Sequence, residues 1–171
     1  MRTLDAILNK IVSVEVARAT LATWKSEHKK VVFTNGCFDI LHQGHVTYLA
    51  HAADFGTKLV LGLNSDASVK RQGKGEDRPI NDEVSRAILL ASLSFIDLVV
   101  IFDEDTPLNI ISQIRPDILV KGADYDASES DPTSSKYIVG SDIVRGYGGD
   151  IKTVPLVEGF STTSILKRIK N

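Results

Sequence analysis

Short apolar runs separated by stretches of helical spacing constrain the fold of this chain more than any other feature. Residues 31–34, 59–63, 98–102, 118–120 and 151–154 read as strands, and the runs are continuous rather than alternating. Such strands are covered on both faces, as in a parallel sheet flanked by helices. Helical periodicity fills the gaps. Residues 14–28 place Ala17, Thr20, Leu21 and Trp24 on one face, and a second helix carries Val46, Leu49, Ala50 and Ala53 and stops near Gly56. A third begins at Asp82, with Asn81 as its cap and Val84, Ala87, Ile88 and Ala91 inward. A fourth opens at Thr106 and Pro107 with Leu108, Ile111 and Ile114 inward, and residues 161–170 close the chain as a helix. This alternation predicts an α/β, three-layer Rossmann-like fold around a five-stranded parallel sheet. Residues 1–171 are expected to form one domain, with 1–28 as an N-terminal helical extension.

Sheets of this kind bind ligands beyond the carboxyl ends of their strands. The expected functional loops are therefore 35–43, 64–79, 121–137 and 155–161, and 65–79 reads as one long polar loop. The acidic, serine-rich stretch 124–135 reads as a mobile loop or a substrate lid. The net charge of −2 supplies no broad field for nucleic acid or an anionic membrane, so an anion site must be local. The single cysteine excludes an intrachain disulfide and fits a reducing compartment. No apolar run approaches the roughly 20 residues that span a bilayer. The start lacks the pattern of a signal peptide, so a soluble cytoplasmic protein is expected.

One loop carries chemistry. The first strand is followed by Asn35, Gly36, Cys37, Phe38 and Asp39, then by His42, Gln43, Gly44 and His45 at the start of a helix. A helix start offers unpaired N–H groups and the positive end of a dipole, which suit phosphate. Gly36 and Gly44 let the backbone approach a ligand closely. His42 and His45 flank the helix start, where both rings reach one phosphate and stabilise charge growing in a transition state. The competing readings are two packing or surface histidines, a zinc site with Cys37, and a nucleophilic Cys37. The order Cys37, His42, His45 lacks the paired spacing of structural zinc motifs, and Cys37 is expected to be an inert, partly buried thiol. Neither a Walker loop nor a GxGxxG turn is present.

These residues resemble the HxGH signature of the cytidylyltransferase-like nucleotidyltransferase superfamily. The resemblance runs from about Val31 to the C-terminus, through Asn64, Ser65 and Asp66, Arg78 to Asn81, Val120 to Tyr125, and Glu158 to Ser164. Within the superfamily the set is most similar to the adenylyltransferases that make ADP-heptose from ATP and D-glycero-β-D-manno-heptose 1-phosphate, in their stand-alone form without the sugar kinase part. Glycerol-3-phosphate cytidylyltransferases carry an arginine where this chain has Leu156.

The resemblance implies transfer of AMP from ATP to that sugar phosphate with release of pyrophosphate, feeding lipopolysaccharide core or another surface glycan. It implies His42, His45 and Lys121 as catalytic residues. Thr34, Asn35, Gly36, Phe38, Gly44, Asn64, Arg86, Gly122, Asp124, Ser161, Thr162 and Thr163 are implied at the nucleotide. Asp39, Lys70, Arg71, Lys74 and Arg78 are implied at the substrate phosphate. For several of these a bland role stands beside the implied one. Lys70, Arg71 and Lys74 also read as a solvated face, Arg86 as a loop-holding ion pair, Asp39 as a cap, and the hydroxyls after Phe160 as a helix cap. Mg²⁺ is expected with ATP, with no metal held by the protein, and a homodimer is a further implication. A cytidylyltransferase for a phosphorylated alcohol and a non-catalytic nucleotide-binding module are the alternatives.

Overall fold

In the computed structural model, which describes residues 2–73, 75 and 77–170, the strands are β1 (Val31–Gly36), β2 (Lys58–Asn64), β3 (Leu98–Phe102), β4 (Ile118–Gly122) and β5 (Asp150–Val154). They form one all-parallel sheet in the order β3-β2-β1-β4-β5. The order reverses direction at β1, so the crevice between the ends of β1 and β4 is the switch point where such sheets bind ligands.

Both faces are covered because successive strand residues point opposite ways. Val32, Leu61 and Val120 face α3 (Gln43–Ala53) and α5 (Glu83–Ala91). Val31, Phe33 and Leu119 face α2 (Val14–Ser26), α6 (Leu108–Ile114) and α7 (Ser141–Gly146). The N-terminal region joins both layers. Helix α1 (Thr3–Leu8) lies against α5, and Ile7 and Ile11 pack on the first cluster. The chain then crosses the β3 edge, where Val99 N donates to Lys10 O at 2.8 Å and Val12 N to Val99 O at 3.0 Å. That contact covers an otherwise open sheet edge.

Several local expectations shift. The stretch 65–79 is not wholly loop: Ser65 accepts from Ser68 N at 3.0 Å and caps α4 (Asp66–Arg71), whose Ser68 and Val69 are buried. Asp82, not Asn81, caps α5 by accepting from Ser85 N at 2.8 Å. The inner face of α5 is rotated, burying Arg86, Ala87, Leu90 and Ala91, while Val84 is exposed. On α3 the buried positions are Gly44, Tyr48, Leu49 and Ala52, so Val46 and Ala50 lie off the inner face. Pro107 occupies the cap position of α6 without a side-chain cap bond. Helices α1 and α7 have no counterpart in the sequence reading; each is six residues long, too short for a periodic signal.

Candidate active site

A cleft of ≈ 560 Å³ opens beyond the carboxyl ends of β1 and β4. Its floor is Asn35, Gly36, Asn64, Lys121 and Gly122, the last residues of three neighbouring strands. One wall is the start of α3. His42 sits at the N-cap in an extended conformation, and its Nδ1 accepts from His45 N at 3.3 Å. That bond places the neutral ring's proton on Nε2. The His42 and His45 rings stack with centroids 3.7 Å apart and planes 16° apart. Phe38 meets His45 edge-on at 5.1 Å. Gly44 is close-packed, because a Cβ there would lie 3.0 Å from Phe160 Cβ and 3.1 Å from His42 Cε1.

Both imidazoles are held neutral. Burial lowers His42 below its ordinary value of 6.5, against a backbone contact that raises it. Burial and then the neighbouring His42 push His45 down to about 4, opposed by the Ile40 backbone. The buried Nδ1 of His45 meets no partner in hydrogen-bonding geometry, so that Ile40 contact is a weak one. An anion placed against the pair would reverse these shifts by favouring the charged form.

Lys121 closes the floor. Its Nζ donates to Asn35 Oδ1 at 2.5 Å and lies 5.8 Å from the Tyr125 ring centroid. Asp124 also lines the cleft. Beside the start of α3 stands the start of α8 (Thr162–Lys170), where the Phe160 ring lies 6.5 Å from that of His42. Ser161 Oγ accepts from Ser164 N at 3.0 Å, while Ser161 N donates to Ser164 Oγ at 3.2 Å, a reciprocal cap. Ser161 and Thr162 line the cleft, so two helix starts and one ammonium group face a single space.

The structure separates the expected residues. His42, His45, Lys121, Asn35, Gly36, Phe38, Gly44, Asn64, Gly122, Asp124, Ser161 and Thr162 line one cleft. Thr34 does not: it is fully buried behind the floor, its Oγ1 2.7 Å from Tyr48 OH, which donates to Val120 O at 3.2 Å. Arg86 is a correction as well. Its side chain is 0% exposed, and it donates to Asn81 O (2.9 Å), Cys37 O (2.7 Å), Asn64 O (2.8 Å) and Asp66 Oδ1 (2.6 Å). It ties the motif loop to β2, α4 and the start of α5 from beneath, and no donor is directed at a ligand.

Asp39 is likewise buried. Its Oδ1 accepts from Ile80 N at 2.8 Å and Asn81 N at 3.0 Å, and its Oδ2 pairs with Arg78 Nε. A sealed carboxylate with those partners holds a loop and does not take a phosphate. Arg78, held by the same pair, does not line the cleft. Arg71 is taken by Asp105 at 2.6 Å and Asp103 at 3.6 Å. Lys70 and Thr163 are exposed and off the cleft wall, and Lys74 lies outside the described residues.

Other lining residues go beyond the sequence reading. Gln72, Asp105, Thr106 and Pro107 form the β2–β3 side of the cleft, and Tyr125, Val139, Leu156 and Phe160 contribute apolar surface. The rule that ligands sit past strand carboxyl ends, applied to β3, points to Asp105–Pro107. Nothing in the sequence marks Val139. Cys37 lines the cleft half-buried, and its Sγ donates to Gln72 Oε1 at 3.2 Å. Among the described residues no three His, Cys, Asp or Glu side chains are grouped to hold a metal ion. Nor is any helix among them long and apolar enough to cross a membrane.

Sheet order, the histidine pair at a helix start and the cleft at the switch point define a Rossmann-like nucleotidyltransferase domain. The chain belongs to the cytidylyltransferase-like family, which matches residues 33–168. Bifunctional protein HldE of Campylobacter concisus is 56% identical over 163 residues, covering 95% of this chain and 31% of that protein. The chain thus spans about a third of the length of the curated relatives it matches. The lipopolysaccharide core biosynthesis protein of Thermoplasma volcanium superposes with a TM-score of 0.57 at 28% identity, over 75% of this chain and 97% of that one. Pantothenate synthetase from Thermus thermophilus, at 16% identity and a TM-score of 0.58 over 94% of this chain and 70% of its own, shares the fold.

Proposed function

We propose that this chain transfers AMP from ATP to D-glycero-β-D-manno-heptose 1-phosphate, giving ADP-heptose and pyrophosphate for lipopolysaccharide core or a related surface glycan. The observation that carries the reading is the stacked, neutral His42–His45 pair at the start of α3, lining the same cleft as Lys121. The high identity to bifunctional HldE proteins supports the heptose acceptor. Leu156, which lines the cleft where glycerol-3-phosphate cytidylyltransferases carry arginine, supports ATP over CTP.

The chemistry suits these groups. An oxygen of the sugar phosphate attacks the α-phosphorus in line; that P–O bond forms as the bond to the β-phosphate oxygen breaks, and pyrophosphate leaves. The attacking oxygen is already anionic near neutral pH, so no general base is needed, and catalysis consists of positioning and charge stabilisation. His42 donates from Nε2 to phosphate oxygens, and His45 supports it from beneath the stack. Lys121, oriented by Asn35, offsets charge at the floor. The first N–H groups of α3 and α8 hold the triphosphate. Mg²⁺ arriving on the triphosphate offsets its charge further. The cleft lies within one five-stranded sheet, and ATP as substrate fits a cytoplasmic location.

A pyrophosphate-release assay with Mg²⁺, crossing ATP and CTP against heptose 1-phosphate, glycerol 3-phosphate and other acceptors, tests this. Release with ATP and heptose 1-phosphate is expected. Release only with CTP and an alcohol phosphate would keep the reaction class and overturn the substrates.

A further inference from the structure

The sheet parts beneath the cleft. Pairing of β1 with β4 stops at Phe33 and Leu119, whereas β1 stays paired with β2 through Gly36 and β4 with β5 through Gly122. Continuing the register would set Thr34 against Val120 and Asn35 against Lys121. Side chains span both of those positions instead. Tyr48 OH donates to Val120 O at 3.2 Å and lies 2.7 Å from Thr34 Oγ1, and Lys121 Nζ donates to Asn35 Oδ1 at 2.5 Å.

Tyr48 is suited to span such a gap. Its ring is rigid and buried, and the phenol stays protonated: burial raises it well above its ordinary value of 10, against the Thr34 hydrogen bond and with the charges of Asp124 and Tyr125. Its one proton goes to Val120 O, so Thr34 Oγ1 supplies the proton of the second bond. His45 and Tyr48 are three residues apart on α3 and share a face. The residue that spans the gap therefore also seats the helix start that carries the histidine pair.

We infer that Tyr48 is a positioning residue: with Thr34 it forms a bridge that fixes the width of the β1–β4 gap, and so sets Lys121 and the histidine pair relative to each other. The inference rests on the nucleotidyl-transfer reading above and gives Tyr48 no contact with the reacting atoms. Its effect on rate comes through placement, where an error of about 1 Å can cost on the order of 100-fold.

The test is steady-state kinetics of the full chain with Mg²⁺-ATP and heptose 1-phosphate, each varied, for Tyr48→Phe, Thr34→Val, Thr34→Ser and the double variant Tyr48→Phe with Thr34→Val. Unfolding midpoints are measured alongside, and rates are taken well below them. Tyr48→Phe and Thr34→Val should each lower kcat by roughly tenfold or more while both KM values stay within about threefold. Thr34→Ser keeps the hydroxyl and should hold kcat within about threefold of wild type. The double variant should be no more than about twofold slower than the slower single one, because both remove the same bridge. Lower midpoints with kcat within about twofold of wild type would reduce the bridge to a structural one and overturn the inference alone. A raised KM at unchanged kcat would assign the hydroxyl to substrate binding and overturn it too. If Tyr48→Phe does not fold, the contrast between Thr34→Val and Thr34→Ser decides in the same way. Wild type without turnover of any acceptor would overturn both the inference and the reading it rests on. Wild-type turnover confined to another acceptor would overturn the sugar-phosphate reading alone, and the same variants would then be scored on that acceptor.

Discussion

The motif loop has an upper and a lower side, and charged or titratable residues of similar appearance in sequence end up on each. Above, His42 and His45 stack in the cleft and are half-exposed. Below, Asp39 and Arg86 are 2% and 1% exposed and bond to one another's surroundings: Asp39 to the amides of Ile80 and Asn81, Arg86 to the carbonyl of Asn81. The upper pair has donors left for a ligand. The lower pair spends its polar groups on protein and holds the loop on which the upper pair rides. A charged residue near a ligand loop is therefore evidence of function only after its partners are known.

The largest effect should come from below. Arg86→Met keeps much of the volume but strips three carbonyls and the Asp66 carboxylate of their donor. Breaking a buried pair from one side costs about 3–5 kcal/mol, and denaturant unfolding should show a loss of that size. A loss below about 1 kcal/mol would mean that the loop does not depend on the clamp.

Above, His42→Ala should lower turnover about 100-fold, roughly 3 kcal/mol of transition-state stabilisation. It should cost only about 1 kcal/mol of stability, because the lost cap is one weak bond. A stability loss that matched the loss of rate would erase the distinction between the two sides.

His45 makes a pH prediction. Its folded pKa is depressed to about 4 from 6.5, so below 6.5 the unfolded chain binds a proton that the folded chain refuses. Its contribution is full above pH 6.5 and is lost progressively between 6.5 and about 4. Partial exposure reduces the effect to on the order of 1 kcal/mol. Unfolding of wild type and His45→Gln across that window should show a shallower acid decline in the variant, and identical slopes would contradict the assignment. The smallest effect is at α8, where Ser161→Ala should cost about 1 kcal/mol if capping is its only role. A much larger change in ATP affinity than in stability would place its hydroxyl on the phosphates.

The sheet was legible because its strands are continuous apolar runs, and burial on both faces demands that pattern. The cleft was legible through Gly44 between two histidines at a helix start, a combination with a local physical meaning. The assignment of charges was not. Arg86 sits at a helical position flanked by Ala87 and Leu90, and its burial depends on carbonyls contributed by residues up to 49 positions away. Thr34 reads as the last strand residue before the loop, yet Tyr48, 14 residues on, seals it. Asp105 and Thr106 follow β3 by only a few residues, but nothing local shows that this edge reaches the same cleft as β1.

The most direct test of the account is the rate of pyrophosphate release by His45→Ala at saturating Mg²⁺-ATP and acceptor, on protein whose unfolding midpoint is measured alongside. The account predicts at least about a 100-fold loss of turnover with the midpoint nearly unchanged. Near-normal turnover would remove His45 from the chemistry and contradict the stacked pair as the carrier of the proposed reaction.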